Sequence, residues 1–139
     1  MEENRRQGFG AAATIGADLV RRPEVTRRWT DQSACEGMSV GALARHLVSQ
    51  WFNAERLLRA PAGDTPIAIW EHYERAAWVH AALDDEVNLE IRDGCEELAA
   101  EGPEAMLTLV ARLQVELPDV LQLPRSGSVA IPWQGWSLT

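Results

Sequence analysis

The chain has 139 residues, of which 46% are hydrophobic and 24% charged, as expected for one globular domain with a single core. Its net charge of −8 and pI near 4.8 argue against a surface for nucleic acid or for anionic membranes, because both need clustered positive charge. No stretch of about 18 apolar residues is present, so we expect no membrane span.

The N-terminal part of the chain has apolar residues at helical spacing. They predict a first helix from about Gly8 to Arg22. Pro23 cannot continue that helix but can open a new turn at its own first position. A short helical turn ending at Trp29 should therefore follow, and after it a loop.

A second helix is predicted from Ser39, a good N-cap residue, to about Arg59. Its apolar stripe contains Leu43 and Leu47, and His46 lies at the edge of that stripe. The segment "APAGDTP" then breaks the chain, because proline and glycine end helical periodicity.

A long third helix is predicted from Ile67 through Ile91 to the "EGPE" segment at 101–104, and Gly94 can kink it. His80 and Asp84 lie in the middle of its apolar stripe, one turn apart. His72 lies off the stripe, so we expect it to be solvated.

A fourth helical segment follows Pro103, and its apolar face extends to Leu117. After Pro118 the sequence contains Gly, Ser and Pro with alternating apolar residues, which is not typical of a helix. Residues 128–131 alternate like a short strand or extended segment, and the final "GWSLT" is typical of the approach to a further helix. Amphipathic helices joined by short loops predict an all-α, antiparallel bundle in a single domain that spans residues 1–139.

His46 is the principal candidate for chemistry. It is either a partly buried histidine hydrogen-bonded to a neighbouring helix, which is the more common case, or a ligand to a divalent metal such as zinc. His80 and Asp84 are weaker candidates, because a His–Asp pair one turn apart often only fixes a tautomer. Asp84, Asn88 and Arg92 form either a polar ladder along one helix face or the lining of a substrate pocket.

The two cysteines, Cys35 and Cys95, lie far apart and have no Cys–x–x–Cys or Cys–His spacing around them. We therefore expect reduced thiols in a cytoplasmic protein. Cys35 comes shortly before a helix start, where the helix dipole can lower a thiol pKa. With no histidine near it in sequence, an ordinary loop cysteine is the favoured interpretation.

The stretch "RRWTDQSACEGMSVGALARHL" resembles the start of the N-terminal domain of mycothiol-dependent maleylpyruvate isomerases, which belong to the DinB-like metal-binding four-helix bundles. The segments "LDDEVNLEIRDGCEELAAEGPEAM" and "VAIPWQGWSLT" are similar to the actinobacterial branch of that family. All 13 basic residues are arginines, a composition compatible with such a GC-rich source. The similarity extends over nearly the whole chain, and the order of its motifs carries more weight than any single one.

The resemblance implies an up-down-down-up bundle with a divalent metal, usually zinc, in its core. It implies that His46 is one ligand and that a Glu–x–x–x–His motif on the last helix supplies the other two. No such motif occurs here, so further ligands are expected beyond Thr139 and the bundle should lack its last helix. A fragment of a longer protein is the favoured explanation; a second copy that fills the gap by dimerisation, or a reduced domain without metal, are the others.

The function that the resemblance implies is a metal-assisted, thiol-dependent isomerase or transferase. Mycothiol would be the thiol cofactor, and an electrophilic small molecule the substrate. The alternative is a non-catalytic helical module that dimerises or binds a small ligand and lacks a complete metal site.

Overall fold

The computed structural model describes residues 2–61, 63–123, 128–132 and 134–138. This part of the chain is mostly helical and also contains one small sheet. Its helices are α1 (Glu2–Val20), α2 (Pro23–Arg27), α3 (Val40–Arg59), α4 (Ile69–Arg75), α5 (Ala77–His80), α6 (Glu86–Ala100) and α7 (Pro103–Gln122). Its strands are β1 (Pro66–Ile67), β2 (Val129–Ile131) and β3 (Trp136–Leu138).

Helix α3 lies at the centre of the helical packing. It contacts α7 and α6 extensively and also touches α1, while α1 packs along α7. Val48 of α3 and Met106, Val110 and Leu113 of α7 are almost completely removed from solvent. The core therefore lies between α1, α3 and α7, and α6 covers another side of α3.

The predicted second helix is confirmed, with Ser39 at its N-cap. The Ser39 hydroxyl accepts a hydrogen bond from the Ala42 backbone N–H at 3.0 Å, which satisfies a donor that the first turn leaves unpaired. The predicted turn after Pro23 is present as α2, and α1 begins before Gly8 and ends at Val20.

The predicted third helix is wrong as a single element, because the chain leaves helical geometry twice within it. Ala76 and Ala81 both have extended backbone angles, and residues 81–85 form a turn that separates α5 from α6. Asp85 explains the second break, since its carboxylate accepts the Ala82 backbone N–H at 2.8 Å. Such local bonds offer the backbone an alternative to a helix, which periodicity alone does not reveal.

Helix α7 continues past the predicted end near Leu117 and contains Pro118 within it. The carbonyl groups at its C-terminus have a partner on α1. Arg6 donates from Nη1 to the backbone oxygens of Leu121 and Leu123, at 2.9 and 3.0 Å. Satisfying these carbonyls stabilises the last turn, because the final carbonyl groups of a helix have no N–H donor within the helix.

The sheet has the order β1-β3-β2, with β1 parallel and β2 antiparallel to β3. Strand β2 confirms the predicted extended segment at 128–131. Within "GWSLT", Trp136–Leu138 form β3, and the expectation that a helix follows this segment stays a prediction. Ser137 on β3 is buried and donates its backbone N–H to the Thr65 carbonyl at 2.9 Å, so backbone pairing holds this segment extended.

None of the helices in the described ranges is both long enough and apolar enough to cross a membrane.

Candidate functional site

His46 lies half-buried on α3 and faces a cysteine of α6. Its Nδ1 is 3.5 Å from the sulfur of Cys95, which is buried. A distance of 3.5 Å between these atoms allows a hydrogen bond that involves the weakly polar thiol. The pair is the one place in the described chain where a histidine nitrogen meets a cysteine sulfur.

Two contacts between α3 and α6 hold this pair in position. Glu96, next to Cys95, accepts the backbone N–H of Ser39 at 2.6 Å and its hydroxyl at 2.8 Å. Arg45, next to His46, is only 6% exposed and donates to the Glu101 carboxylate at 2.7 Å. Because both bonds join α3 to α6 or its C-cap, the positions of His46 and Cys95 follow from the packing of the two helices.

The surroundings of Cys95 favour the neutral thiol. Burial raises the pKa of Cys95, and the nearby Glu96 carboxylate raises it further, while the Arg45 guanidinium acts in the opposite direction. Without another cation, the sulfur thus stays protonated at neutral pH. Cys95 therefore contacts His46 as a thiol rather than as a nucleophilic thiolate.

The second ring nitrogen of His46 has a different environment. No residue within the described ranges forms a hydrogen bond with Nε2 of this side chain. A partly buried histidine hydrogen-bonded to a neighbouring helix, the more common of the two cases expected from the sequence, has this arrangement, and a metal-binding histidine oriented through its other ring nitrogen has it as well. His46 thus fits the role of one ligand to a divalent metal.

The other ligands are not supplied by the described residues. Among them, no group of three or more His, Cys, Asp or Glu side chains lies close enough together to hold a metal ion. The described part of the chain therefore fits a metal through His46, with the Cys95 sulfur beside it, and does not form a complete site.

The structure does not bring His80 or Asp84 to this site, and the prediction that both face the bundle interior is wrong. His80 ends α5, is exposed, and its Nε2 lies 3.0 Å from the Glu74 carbonyl oxygen. Asp84 lies in the exposed turn at 81–85. The periodicity predicts that both lie on one helix face, whereas the chain leaves helical geometry between them.

Asn88 and Arg92 hold that same turn. Asn88 donates its amide to the Ala82 carbonyl at 2.9 Å, and Arg92 donates to the carbonyl oxygens of Leu83 and Asn88. Their polar groups therefore terminate the turn before α6. Their predicted role in substrate binding, together with that of Asp84, has no support in these contacts and stays a prediction.

His72 is half-buried rather than solvated, so its predicted position is wrong. Its Nδ1 accepts a hydrogen bond from the Trp136 indole N–H at 3.1 Å, which ties α4 to β3. The proximity of Arg75 to the same indole ring, 5.9 Å from its centroid, adds a cation–π contact. The spacing of apolar residues could not predict the hydrogen bond between His72 and Trp136, because it did not predict β3.

An open groove lies between α1 and α7, away from His46 and Cys95. Its volume is about 350 Å³, and Trp51 of α3 contributes to its lining. Apolar side chains from α7, including Leu113, Leu117 and Leu121, make up much of the remainder. The groove has room for a small ligand.

Comparison of the chain with protein-family models, with curated proteins and with solved structures finds no match. The site therefore has to be interpreted from its own geometry.

Proposed function

We propose that this chain is a DinB-like, metal-binding helical domain in which His46 is a ligand to a divalent metal, most simply zinc. The observation that carries the proposal is the imidazole of His46, which is half-buried, contacts the Cys95 sulfur through Nδ1 and has Nε2 open within the described ranges. The resemblance of "GMSVGALARHL" to the mycothiol-dependent maleylpyruvate isomerases supports the same assignment.

The chemical role that follows is a metal-assisted reaction of a small thiol, mycothiol by the resemblance, with an electrophilic substrate in an isomerisation or transfer. A divalent metal, when bound, favours the deprotonated form of a coordinated thiol and so makes it a nucleophile at neutral pH. The chain's own contribution is to orient the ligand that holds the metal.

Cys95 has a defined part in that orientation. For Nε2 of His46 to act as a ligand, the ring proton has to lie on Nδ1, and the Cys95 sulfur is then its acceptor. Partners of this kind fix the tautomer and ring orientation of metal-binding histidines, and their removal lowers metal affinity by about 10- to 100-fold. Cys95 is therefore proposed as a positioning residue for His46.

Metal analysis of the purified protein and its variants tests this proposal. In the full-length protein we expect stoichiometric zinc, loss of zinc in His46→Ala, and unchanged zinc in the control variant His80→Ala. Cys95→Val should weaken zinc binding, and Cys95→Ser should restore most of it. Zinc content that is the same in His46→Ala as in the parent would exclude His46 as a ligand.

A second candidate function is a non-catalytic module that binds a small ligand or a second copy of the chain. The groove between α1 and α7 favours this candidate, because its volume and apolar lining do not depend on a metal. Light scattering distinguishes dimerisation from binding of a small ligand. A dimer has twice the mass of one chain, whereas a chain that binds only a small ligand stays a monomer.

A further inference from the structure

The segment formed by α4 and α5 has few polar contacts with the rest of the protein. Within the described ranges, one side-chain hydrogen bond joins it to another element, and in that bond the Trp136 indole N–H of β3 donates to Nδ1 of His72 on α4 over 3.1 Å. The other hydrogen bonds described for α4 and α5 stay within residues 68–81. Neither helix contains a buried residue. The contact between His72 and Trp136 is therefore the main polar attachment of this segment to the sheet.

The direction of this hydrogen bond fixes the protonation of His72. An indole nitrogen carries a hydrogen and only donates, so Nδ1 of His72 has to be the ring nitrogen without a proton. The charged imidazole carries a proton on both nitrogens, and its Nδ1–H would point at the indole N–H. Protonation of His72 therefore replaces an attractive contact with a repulsive one.

The other two histidines make contacts that tolerate the charged form. Nε2 of His80 lies 3.0 Å from the Glu74 carbonyl oxygen, which only accepts, so this bond needs a proton that the charged imidazole also has. Nδ1 of His46 faces the Cys95 sulfur, which is a weak acceptor as well as a weak donor. His72 is thus the one histidine of the three whose described contact excludes the charged imidazole.

The charges around the contact leave His72 as the group that responds to pH. On α4, Arg75 lies 5.9 Å from the centroid of the same indole ring and pairs with Glu71, and Glu74 is the other carboxylate of this helix. The Tyr73 ring contacts the imidazole edge-on, with centroids 5.2 Å apart. The three strands contain no titratable side chain. Histidine takes up a proton between about pH 5 and 8, a range in which carboxylates, phenols and guanidinium groups ordinarily keep their charge state.

From these observations we propose that the contact between His72 and Trp136 is a pH-sensitive latch, which holds α4 and α5 on the sheet at neutral pH and releases them when His72 is protonated. The bond contributes to the closed state while Nδ1 is unprotonated, and this contribution is lost as the pH falls. One ordinary hydrogen bond changes an opening equilibrium by about 3- to 10-fold. The latch goes beyond the proposed function, because it needs neither a metal at His46 nor a ligand in the groove.

Hydrogen–deuterium exchange of the protein at about pH 7.5 and about pH 5.5 tests the latch, with rates corrected for the chemical exchange at each pH. EDTA in both samples keeps metal loss at His46 out of the comparison. We expect the corrected rates of peptides from α4 and α5 to rise by about 3- to 10-fold at the lower pH, while those of α7 stay unchanged. Equal rates at the two pH values would overturn the proposal. An equal rise in α7 would do so as well, because it would indicate a general loss of stability.

Three variants assign the response to His72. In His72→Asn the amide oxygen replaces Nδ1 as an acceptor that does not titrate, so α4 and α5 should exchange slowly at both pH values. Trp136→Phe removes the donor and should exchange fast at both, with its fold checked by circular dichroism. His80→Gln keeps a donor toward the Glu74 carbonyl and is the matched control, which should respond to pH as the parent does. A pH response that survives in His72→Asn or Trp136→Phe, or that disappears in His80→Gln, would contradict the latch.

Discussion

Cys35 and Cys95 are free thiols in opposite surroundings. Cys35 lies in the loop before α3 and is exposed, whereas Cys95 is buried against His46 and its pKa is raised by burial and by the Glu96 carboxylate. A raised pKa leaves less thiolate at any given pH, and burial excludes the reagent.

We therefore predict that iodoacetamide at neutral pH labels Cys35 at least about 10-fold faster than Cys95, because the thiolate is the reacting form. Peptide mass spectrometry over a time course measures both rates in one sample. The same experiment in concentrated urea is the control, since both sites should then react alike. Equal labelling of the folded protein would mean that Cys95 is not protected.

Ser39 links the start of α3 to α6, because its hydroxyl caps α3 and its N–H and O–H both donate to Glu96. Ser39→Ala should lower the free energy of unfolding by about 1–2 kcal/mol, the upper range for an N-cap. Urea denaturation followed by circular dichroism measures the change.

Ser49 supplies the matched control on the same helix. Its hydroxyl donates to the His46 carbonyl of its own helix and to no other described element. Ser49→Ala should therefore change the free energy of unfolding by about 0.5 kcal/mol or less. If both alanine variants lose the same amount, the contact with Glu96 makes no net contribution to stability.

At the residue scale, the sequence was sufficient to predict Ser39 as the N-cap of α3 and a partly buried His46 on that helix, because a cap and a polar residue at the edge of an apolar stripe are both local patterns. Cys95 was missed as the partner of His46. The two lie on different helices, so no local spacing connects them, and the contact follows only from how α3 packs on α6.

At the scale of single helices, α1 packs tightly against the Trp51 indole ring of α3 at Gly16. A Cβ atom placed there would collide with the Trp51 indole ring, whereas one at Gly8, earlier in the same helix, meets nothing within 4 Å. Alanine is the better helix former by about 1 kcal/mol, so the two positions separate helix propensity from packing.

Gly8→Ala should raise the free energy of unfolding by about 0.5–1 kcal/mol, since only helix propensity changes. Gly16→Ala should lower it by about 1–3 kcal/mol, because the added methyl group overpacks the contact with Trp51. Thermal and urea denaturation of both variants provide the measurement. A stabilised Gly16→Ala would show that α1 can move away from α3 at little cost.

Helix boundaries were predicted well where a cap or a proline marked them and poorly where they depended on turn contacts. The start of α3 and the break at Pro23 both follow from local chemistry. The breaks at Ala76 and at residues 81–85 do not, because apolar residues continue at helical spacing across them. Asp85 stabilises the second break by accepting the Ala82 backbone N–H, and Asn88 and Arg92 stabilise it by donating to backbone carbonyls of the turn.

For the whole molecule, the structure predicts an uneven distribution of local stability. Helices α3 and α7 contain most of the fully buried side chains, whereas α4 and α5 contain none that are buried. Segments with little buried apolar contact open at low free-energy cost.

Hydrogen–deuterium exchange should therefore be slowest in the central turns of α3 and α7 and fastest in α4 and α5 among the described helices. Mass spectrometry of peptic peptides resolves these segments. Protection of α4 and α5 equal to that of α7 would require a partner or a second copy of the chain to cover them.

The parallel pairing of β1 with β3 has a consequence for the order of folding. Pro66 lies opposite Ser137, so the pairing closes a loop of about 70 residues, at an entropic cost of about 4 kcal/mol. The backbone hydrogen bonds of two paired residues offset little of that entropic cost by themselves. The sheet is therefore stable only after α6 and α7 have packed and brought its strands closer together. Formation of the sheet is thus a late step in folding, and its rate reports on completion of the helical core.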